Sequence, residues 1–453
     1  MRRVFKLSTF ALQLYIKIMG NIVAIVGRPN VGKSTLFNRL TGMRHAIVDP
    51  TSGVTRDRHY GISDWNGITF SVIDTGGYIE GSDDIFEEEI RKQAILAVEE
   101  ADIILFMVNT SEGLTSLDED VAQLLRCSNK PVFLAANKVD DAVHHIHVPE
   151  FYALGLGEVY PISAMNGHGT GELLDAIVQD MKPVELDEHQ DDIPRIAVVG
   201  RPNVGKSSLI NALVGVERNI VTPIAGTTRD SILTRYKSFG FDFYLVDTAG
   251  IRKKSKVKEN IDFYSVMRSV RAIENADICM LMVSAEDGFE GQDASILQLI
   301  EKNRKGLVVV VNKWDMVEKN ANTHLAFEAQ IREKMQPFVD VPIIFTSVTK
   351  KQRIIKTLEA CRDVYSRMKT RVSTSKLNEE LLPIIKDTPP PTVKGKQVRI
   401  KYITMLPTPF PAFVFFCNLP QYVKDPYKRF IENKLRSIYD FTGVPIQIYF
   451  REK

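Results

Sequence analysis

Two stretches of this chain join a glycine-rich turn to a lysine and a hydroxyl: GRPNVGKST (Gly27–Thr35) and GRPNVGKSS (Gly200–Ser208). Both fit GxxxxGK[ST]. At that spacing, backbone N–H groups curl around a phosphate at the positive end of a helix. Arg28, Pro29, Asn30 and Val31 fill the turn between Gly27 and Gly32; Arg201, Pro202, Asn203 and Val204 fill it between Gly200 and Gly205. Lys33 and Lys206 are expected to bridge the β- and γ-phosphates of a nucleotide and to act in catalysis. Ser34 and Ser207 offer hydroxyls to Mg²⁺. The motif alone specifies a nucleoside triphosphate and no particular base.

Further motifs narrow the chemistry. DTGG (Asp74, Thr75, Gly76, Gly77) and DTAG (Asp247, Thr248, Ala249, Gly250) stand at apolar runs read as strand ends. There the aspartate is expected to hold Mg²⁺, usually through water, and the last glycine N–H to sense the γ-phosphate. Asn137, Lys138, Val139 and Asp140 form one NKxD motif, and Asn312, Lys313, Trp314 and Asp315 the other. A carboxylate accepts two hydrogen bonds from guanine, which offers N1–H beside its amino group. Adenine presents an acceptor there, and a buried unmet partner costs roughly 1–3 kcal/mol or more. The expected nucleotide is GTP, cycling to GDP. Asn137 and Asn312 support the loops, while the stems of Lys138 and Lys313 cover the base. Ser163 and Ala164 form a backstop, the Ala164 N–H being aimed at the base oxygen; the second copy has Ser347 and Val348 and lacks the following glycines. After DxxG come Tyr78 and Ile251, never the glutamine that orients water in Ras-type enzymes, so hydrolysis is assisted from elsewhere or slow.

These residues need a scaffold, and the spacing shows it is built twice. Lys33 and Lys206, Thr55 and Thr228, Asp74 and Asp247, and Gly77 and Gly250 are each 173 positions apart. The register then slips by two at NKxD. Such a period is a domain duplication. In each copy, apolar runs read as buried strands: Ile22–Val26, Phe70–Ile73, Ile103–Val108 and Val132–Ala136, then Ile196–Val199, Phe243–Val246, Ile278–Val283 and Leu307–Val311. In the first copy, polar-patterned stretches at 88–100 and 118–126 read as helices between them. The expected class is α/β: two tandem P-loop domains with mostly parallel sheets and helices on both faces.

Composition sets the outer bounds. At 453 residues, 44% hydrophobic and 25% charged with a net charge of +2, the chain is a folded protein of about three domains. No apolar run nears the ~20 residues of a bilayer crossing. Four cysteines without CxxC spacing suit a reducing compartment and argue against both a disulfide framework and a zinc site, so the cytoplasm is the expected location. Residues 1–20 read as a dispensable extension with Met19 as the start. The first nucleotide domain is expected at 21–183, an acidic linker at 184–193, the second domain at 194–372 and a basic domain at 373–453. That last segment holds 13 Lys+Arg against 7 Asp+Glu. Its strand-like runs and the amphipathic stretch Asp425–Phe441 make it a small α+β domain and an RNA-binding candidate. His144–His147 read as a solvated loop. The run Ile251–Lys258 is basic where its counterpart, Tyr78–Glu89, is acidic, which reads either as a solvated switch surface or as an asymmetric partner surface.

The tandem GRPNVGKS, VTRD/TTRD, DTGG/DTAG and NKxD motifs with a basic tail resemble the bacterial double-Era-like GTPases, the Der or EngA family, from Asn21 to Lys453. The resemblance implies a KH-like third domain and a role in late maturation of the large ribosomal subunit through rRNA. No DNA or membrane partner is expected, and the chain is expected as a monomer. It also implies that Thr55 and Thr228 are switch threonines on Mg²⁺. Asn30 and Asn203 match the asparagine that helps hold an activating K⁺ where the catalytic glutamine is missing. Two departures stand out: Ser52 replaces the usual proline, and the third domain lacks the GxxG of ordinary KH domains. A nucleotide kinase is opposed by the doubled NKxD. The alternative reading is a scaffold in which one or both nucleotides are structural.

Overall fold

The computed structural model describes residues 18–42, 60–66, 68–75, 91, 94–95, 97–98, 101–140, 145–181, 193–214, 233–246, 269–318, 322–392 and 395–452. The chain separates into two compact units, residues 12–187 and, chiefly, residues 188–453.

In the first unit, β1 (Ile18–Val26) leads through the glycine-rich turn into α1 (Lys33–Gly42). The hairpin of β2 (Tyr60–Trp65) and β3 (Ile68–Asp74) follows, then β4 (Ile103–Asn109), α2 (Ser116–Arg126), β5 (Val132–Asn137), β6 (Val159–Pro161) and α3 (Thr170–Asp180). The sheet order is β2-β3-β1-β4-β5-β6, with only β2 antiparallel to its neighbour. Every residue of β4 is buried, as a central strand covered on both faces demands. β1 lies between β3 and β4, so the chain leaves it toward opposite sides. That is a topological switch point, where the carboxyl ends of the strands open a crevice.

The second unit repeats the plan with β7 (Arg195–Val199), α4 (Lys206–Val214), β8 (Thr234–Ser238), β9 (Phe241–Val246), β10 (Ile278–Ser284), α5 (Gly291–Lys302), β11 (Gly306–Asn312), α6 (Thr323–Lys334), β12 (Ile343–Phe345) and α7 (Ile354–Lys369). Its order, β8-β9-β7-β10-β11-β12, matches the first sheet strand for strand. The expected apolar runs all lie in strands. The hairpin partners β2 and β8 and the edge strands β6 and β12 were not foreseen, because each is short and only partly apolar.

The basic segment adds α8 (Thr374–Asp387), β13 (Ile400–Met405), β14 (Ala412–Cys417), α9 (Asp425–Ile438) and β15 (Gln447–Glu452). β14 is central, antiparallel to β13 and parallel to β15. α8 escaped the sequence reading although its signals are present: Ser373 caps it, and Leu377, Leu381 and Ile385 recur every fourth residue as its buried stripe. One hydrophobic core runs from Val364 and Met368 of α7 to Leu377 of α8, Phe413 and Phe415 of β14, and Leu435 of α9. The backbone joins the two parts as well: Leu307 N donates to Gly443 O at 2.8 Å. Gly443 has φ +79°, and a Cβ there would lie 2.6 Å from Val364 Cγ2, so only glycine fits. All four cysteines are free thiols. Among the described residues no helix is long and apolar enough to cross a membrane.

Candidate functional site

β1, β3 and β5 bring three motifs to one edge of the first sheet. Gly27 (φ +153°) and Gly32 (φ +101°) bend the turn. A Cβ on Gly27 would sit 2.4 Å from Met107 O, and one on Gly32 2.3 Å from Asn137 Nδ2. The loop is therefore pressed against β4 and against the NKxD asparagine. Asn30 is exposed with φ +63°, a left-handed conformation that asparagine tolerates best among non-glycine residues. Lys33 Nζ donates to Gly27 O at 2.6 Å and Arg28 O at 2.7 Å. Burial lowers its pKa to about 8, with the Asp74 charge opposing the shift. Ser34 Oγ meets Asp74 Oδ2 at 2.6 Å, and Thr75 Oγ1 donates to Ile25 O.

Asn137 joins the NKxD motif to two other loops. Its Nδ2 donates to Val31 O at 2.7 Å, and its Oδ1 accepts from Ala164 N at 2.8 Å. One buried amide thus ties the glycine-rich turn to the Ser163–Ala164 loop. The Ala164 N–H, expected to face a base oxygen, is turned to Asn137 in this structure. Asp140 Oδ1 accepts from Ser163 Oγ at 2.5 Å and from Asn166 Nδ2 at 2.9 Å. Lys138 takes φ +69° and Val139 N donates to Ile162 O, which aims the motif's last residue back across the edge. Arg39 of α1 donates to Ala164 O, and with Thr35, Asn38 and Met165 it lines a cavity of about 490 Å³.

The second unit repeats the lysine and asparagine contacts. Lys206 Nζ donates to Gly200 O and Arg201 O, each at 2.6 Å, and burial lowers its pKa to about 8 against the charge of Asp293. Asn203 has φ +62°, Lys313 +61°, and a Cβ on Gly205 would lie 2.2 Å from Asn312 Nδ2. Asn312 Nδ2 donates to Val204 O at 2.9 Å, and Val348 N donates to Asn312 Oδ1 at 3.1 Å. The Ser–Val loop therefore keeps the Ser–Ala connection, because the contact is made by backbone. Asp315 differs from its counterpart. Lys350 Nζ lies 3.6 Å from its Oδ2, while its Oδ1 is out of solvent with no hydrogen-bond partner. Ser347 and Lys350 beside it hold its carboxyl below the usual aspartate range. Trp314 packs on Phe345 and Phe327, fixing the turn that carries Asp315.

A carboxylate unforeseen from the sequence supports each turn. Arg28 donates through Nε to both oxygens of buried Asp118 at 3.2 Å, and also pairs with Glu112. Arg201 donates through Nε to one oxygen of Asp293, Oδ2, at 2.9 Å and also pairs with Glu290. Asp118 and Asp293 are the N3 residues of capping boxes on α2 and α5, so each locks a helix start to the second residue of the turn. Thr115 three positions before Asp118 is the signal that could have found the first. The side chains of Arg28 and Arg201 thus point away from the crevice, and only their carbonyls meet the lysines.

Gly76, Gly77 and Tyr78, the second DxxG from Asp247 to Gly250, Ile251, the threonines Thr55 and Thr228, and the basic run to Lys258 lie outside the described residues, as does His144. Ser207 is described, and its partner Asp247 is not.

A family profile described as "50S ribosome-binding GTPase" matches residues 22–138 and again 195–313. One described as the "KH-domain-like of EngA bacterial GTPase enzymes, C-terminal" matches residues 371–451. Over 435 residues, 96% of this chain and all of the relative, the chain is 61% identical to GTPase Der of Christiangramia forsetii. It is 63% identical over 437 residues to GTPase Der of Flavobacterium psychrophilum, and 61% over 437 to that of Bacteroides thetaiotaomicron, with the same coverage. Two G domains with matching sheets, followed by a KH-like domain and matched over 96% of the chain by such relatives, place the chain in the GTPase Der family.

Proposed function

We propose that this chain is a cytoplasmic, monomeric GTP switch in late ribosome biogenesis, working on the large ribosomal subunit or its precursor through rRNA. The observation behind this reading is that both copies keep the same phosphate-loop and base-loop linkage while a basic KH-like domain follows them. In each G domain, Gly27–Ser34 or Gly200–Ser207 cradles the phosphates, and Lys33 or Lys206 regains its proton affinity beside them. Asp140 and Asp315 accept from guanine; the orphan Oδ1 of Asp315 is a buried acceptor awaiting a donor. Ala164 and Val348 N–H add a shared bond to the base oxygen. Ser34 with Asp74 is an all-oxygen pair suited to Mg²⁺, joined by Thr55; Ser207, Asp247 and Thr228 form the second set. When bound, the metal neutralises charge on the β- and γ-phosphates. Sedimentation through lysate with GTP, GDP or a non-hydrolysable analogue tests the reading. Large-subunit particles are expected to carry the protein in a nucleotide-dependent way, and equal distribution in all three conditions would overturn it.

The missing glutamine implies slow intrinsic turnover raised by K⁺. Asn30 and Asn203 project from the turn with positive φ, where a side-chain oxygen can add to a cation that balances transition-state charge. Turnover in KCl is expected to exceed that in NaCl, and Asn30→Ala or Asn203→Ala to remove the excess from its own domain. Equal rates in the two salts count against this.

A further inference from the structure

The duplication supplies an internal comparison for surface positions, and the tip of one hairpin departs from its counterpart. β8 and β9 meet in a two-residue turn: Ser238 pairs with Phe241, leaving Phe239 and Gly240 at the tip. Their φ values, +52° and +78°, are those of a type I′ hairpin turn. That turn favours Asn, Asp or Gly first, because the left-handed conformation crowds the Cβ of other residues against the carbonyl. The first copy follows the rule. At the matching position, 173 residues earlier, stands Asn66 with φ +47°, between the paired Trp65 and Ile68. The second copy places a phenylalanine there, 66% exposed. Its ring meets no other ring or cation among the described residues, and the space beside Gly240 is open. Phe239 is thus in a conformation poor for its type, and its apolar ring is left in water.

Charge changes at the same place. Asp64 in the first hairpin corresponds to Lys237 in the second, whose side chain is 61% exposed. Arg235 is matched by Asp242, with two bonds of 2.9 Å, and Lys237 is 3.8 Å from the same carboxylate. The acidic Asn-tipped hairpin has become a basic aromatic-tipped one. A protein pocket would ask for companion apolar anchors around the ring. Its neighbours along the chain are Lys237, Ser238, Gly240 and the buried Phe241, so the exposed ring has a cation two residues away and no exposed apolar companion among them. That combination matches an unpaired nucleotide, whose base offers a face for stacking and whose phosphate takes the ammonium.

We infer that Phe239, at the tip of the β8–β9 hairpin, is a docking anchor that stacks on an unpaired RNA base while Lys237 meets the adjacent phosphate. This rests on reading the chain as a GTPase of ribosomal particles, and it names a contact surface on the second G domain, apart from the nucleotide crevice.

The test compares the full chain with Phe239→Asn, Phe239→Trp and Phe239→Leu. The probes are purified large-subunit particles and deproteinised large-subunit rRNA. Phe239→Asn restores the residue the turn prefers, so its melting temperature is expected to rise by about 2–4 °C. Its affinity for both probes is expected to fall about 5- to 100-fold, the value of one stacked base, with GTP turnover unchanged. Phe239→Trp should bind as the parent does, and Phe239→Leu as weakly as the Asn variant, since leucine keeps the apolar bulk and loses the flat face. Parent-like binding by Phe239→Asn overturns the inference and leaves the wider reading standing. Rescue by Phe239→Leu, or an effect seen on particles and not on rRNA, assigns the anchor to a protein pocket and also overturns it. Failure of the parent to bind either probe at any salt concentration overturns the wider reading itself.

Discussion

Asp140→Asn is expected to empty the first guanine site, lowering GTP affinity about 100-fold or more, as loss of a charge-assisted pair with an unmet buried partner implies. The reason lies in how the carboxylate is already held. Ser163 Oγ and Asn166 Nδ2 both donate to one oxygen, Asp140 Oδ1. An asparagine placed there must turn its own carbonyl toward those donors. Its amide then faces the N1–H and amino group of guanine, donor against donor. The same orientation suits a purine with a carbonyl at that position, so the variant is expected to bind xanthosine triphosphate in place of GTP. Asp315 is held differently: Ser347 and Lys350 lie beside its carboxyl, and its Oδ1 has no hydrogen-bond partner. The Asp315→Asn amide is less constrained in its orientation, and its loss of affinity should be smaller. Calorimetry on the two variants separates the sites: one GTP should vanish in each. Finding a single site in the parent, or two in Asp140→Asn, refutes the assignment.

The contrast between those aspartates shows what a sequence discloses and what it withholds. The duplication, the positions of the central strands and the presence of NKxD twice are legible, because they depend on local apolar runs and on identical spacing. The partners of the motif residues are not, because they come from loops distant in sequence. Asp118 lies 90 residues from Arg28, and nothing local to either marks the pair. Asn166 on Asp140 and Lys350 near Asp315 stand three residues after Ser163 and Ser347, outside the motif, so the exchange of one partner for the other carries no signal of its own. α8 is poorly legible for another reason: its apolar stripe is short, and Pro383 stands inside it as a residue that ordinarily ends a helix. Phe239 is the reverse case. The sequence prints Phe-Gly where the first copy prints Asn-Gly, yet only the backbone angle and the exposure make the substitution costly, and so informative.

Gly32→Ala is expected to abolish nucleotide binding at the first site while leaving the second intact, and Gly205→Ala to do the converse. Two independent penalties act on each. At φ +101° and +102° an alanine occupies a region that side chains rarely adopt, costing about 1–3 kcal/mol. The added Cβ would also lie 2.3 Å from Asn137 Nδ2, or 2.2 Å from Asn312 Nδ2, far inside contact. Neither asparagine can withdraw cheaply. Asn137 is nearly buried, and the same amide holds Val31 O and receives Ala164 N. Moving it releases the phosphate turn and the base loop together, so one methyl group should remove both halves of the site. Pairing the variant with Asn137→Ala checks this. If the asparagine carries the coupling, its truncation alone should cost nearly as much as Gly32→Ala, and the double variant little more than either. Additive losses would mean that the two loops are held separately, and that the amide between them is only a neighbour.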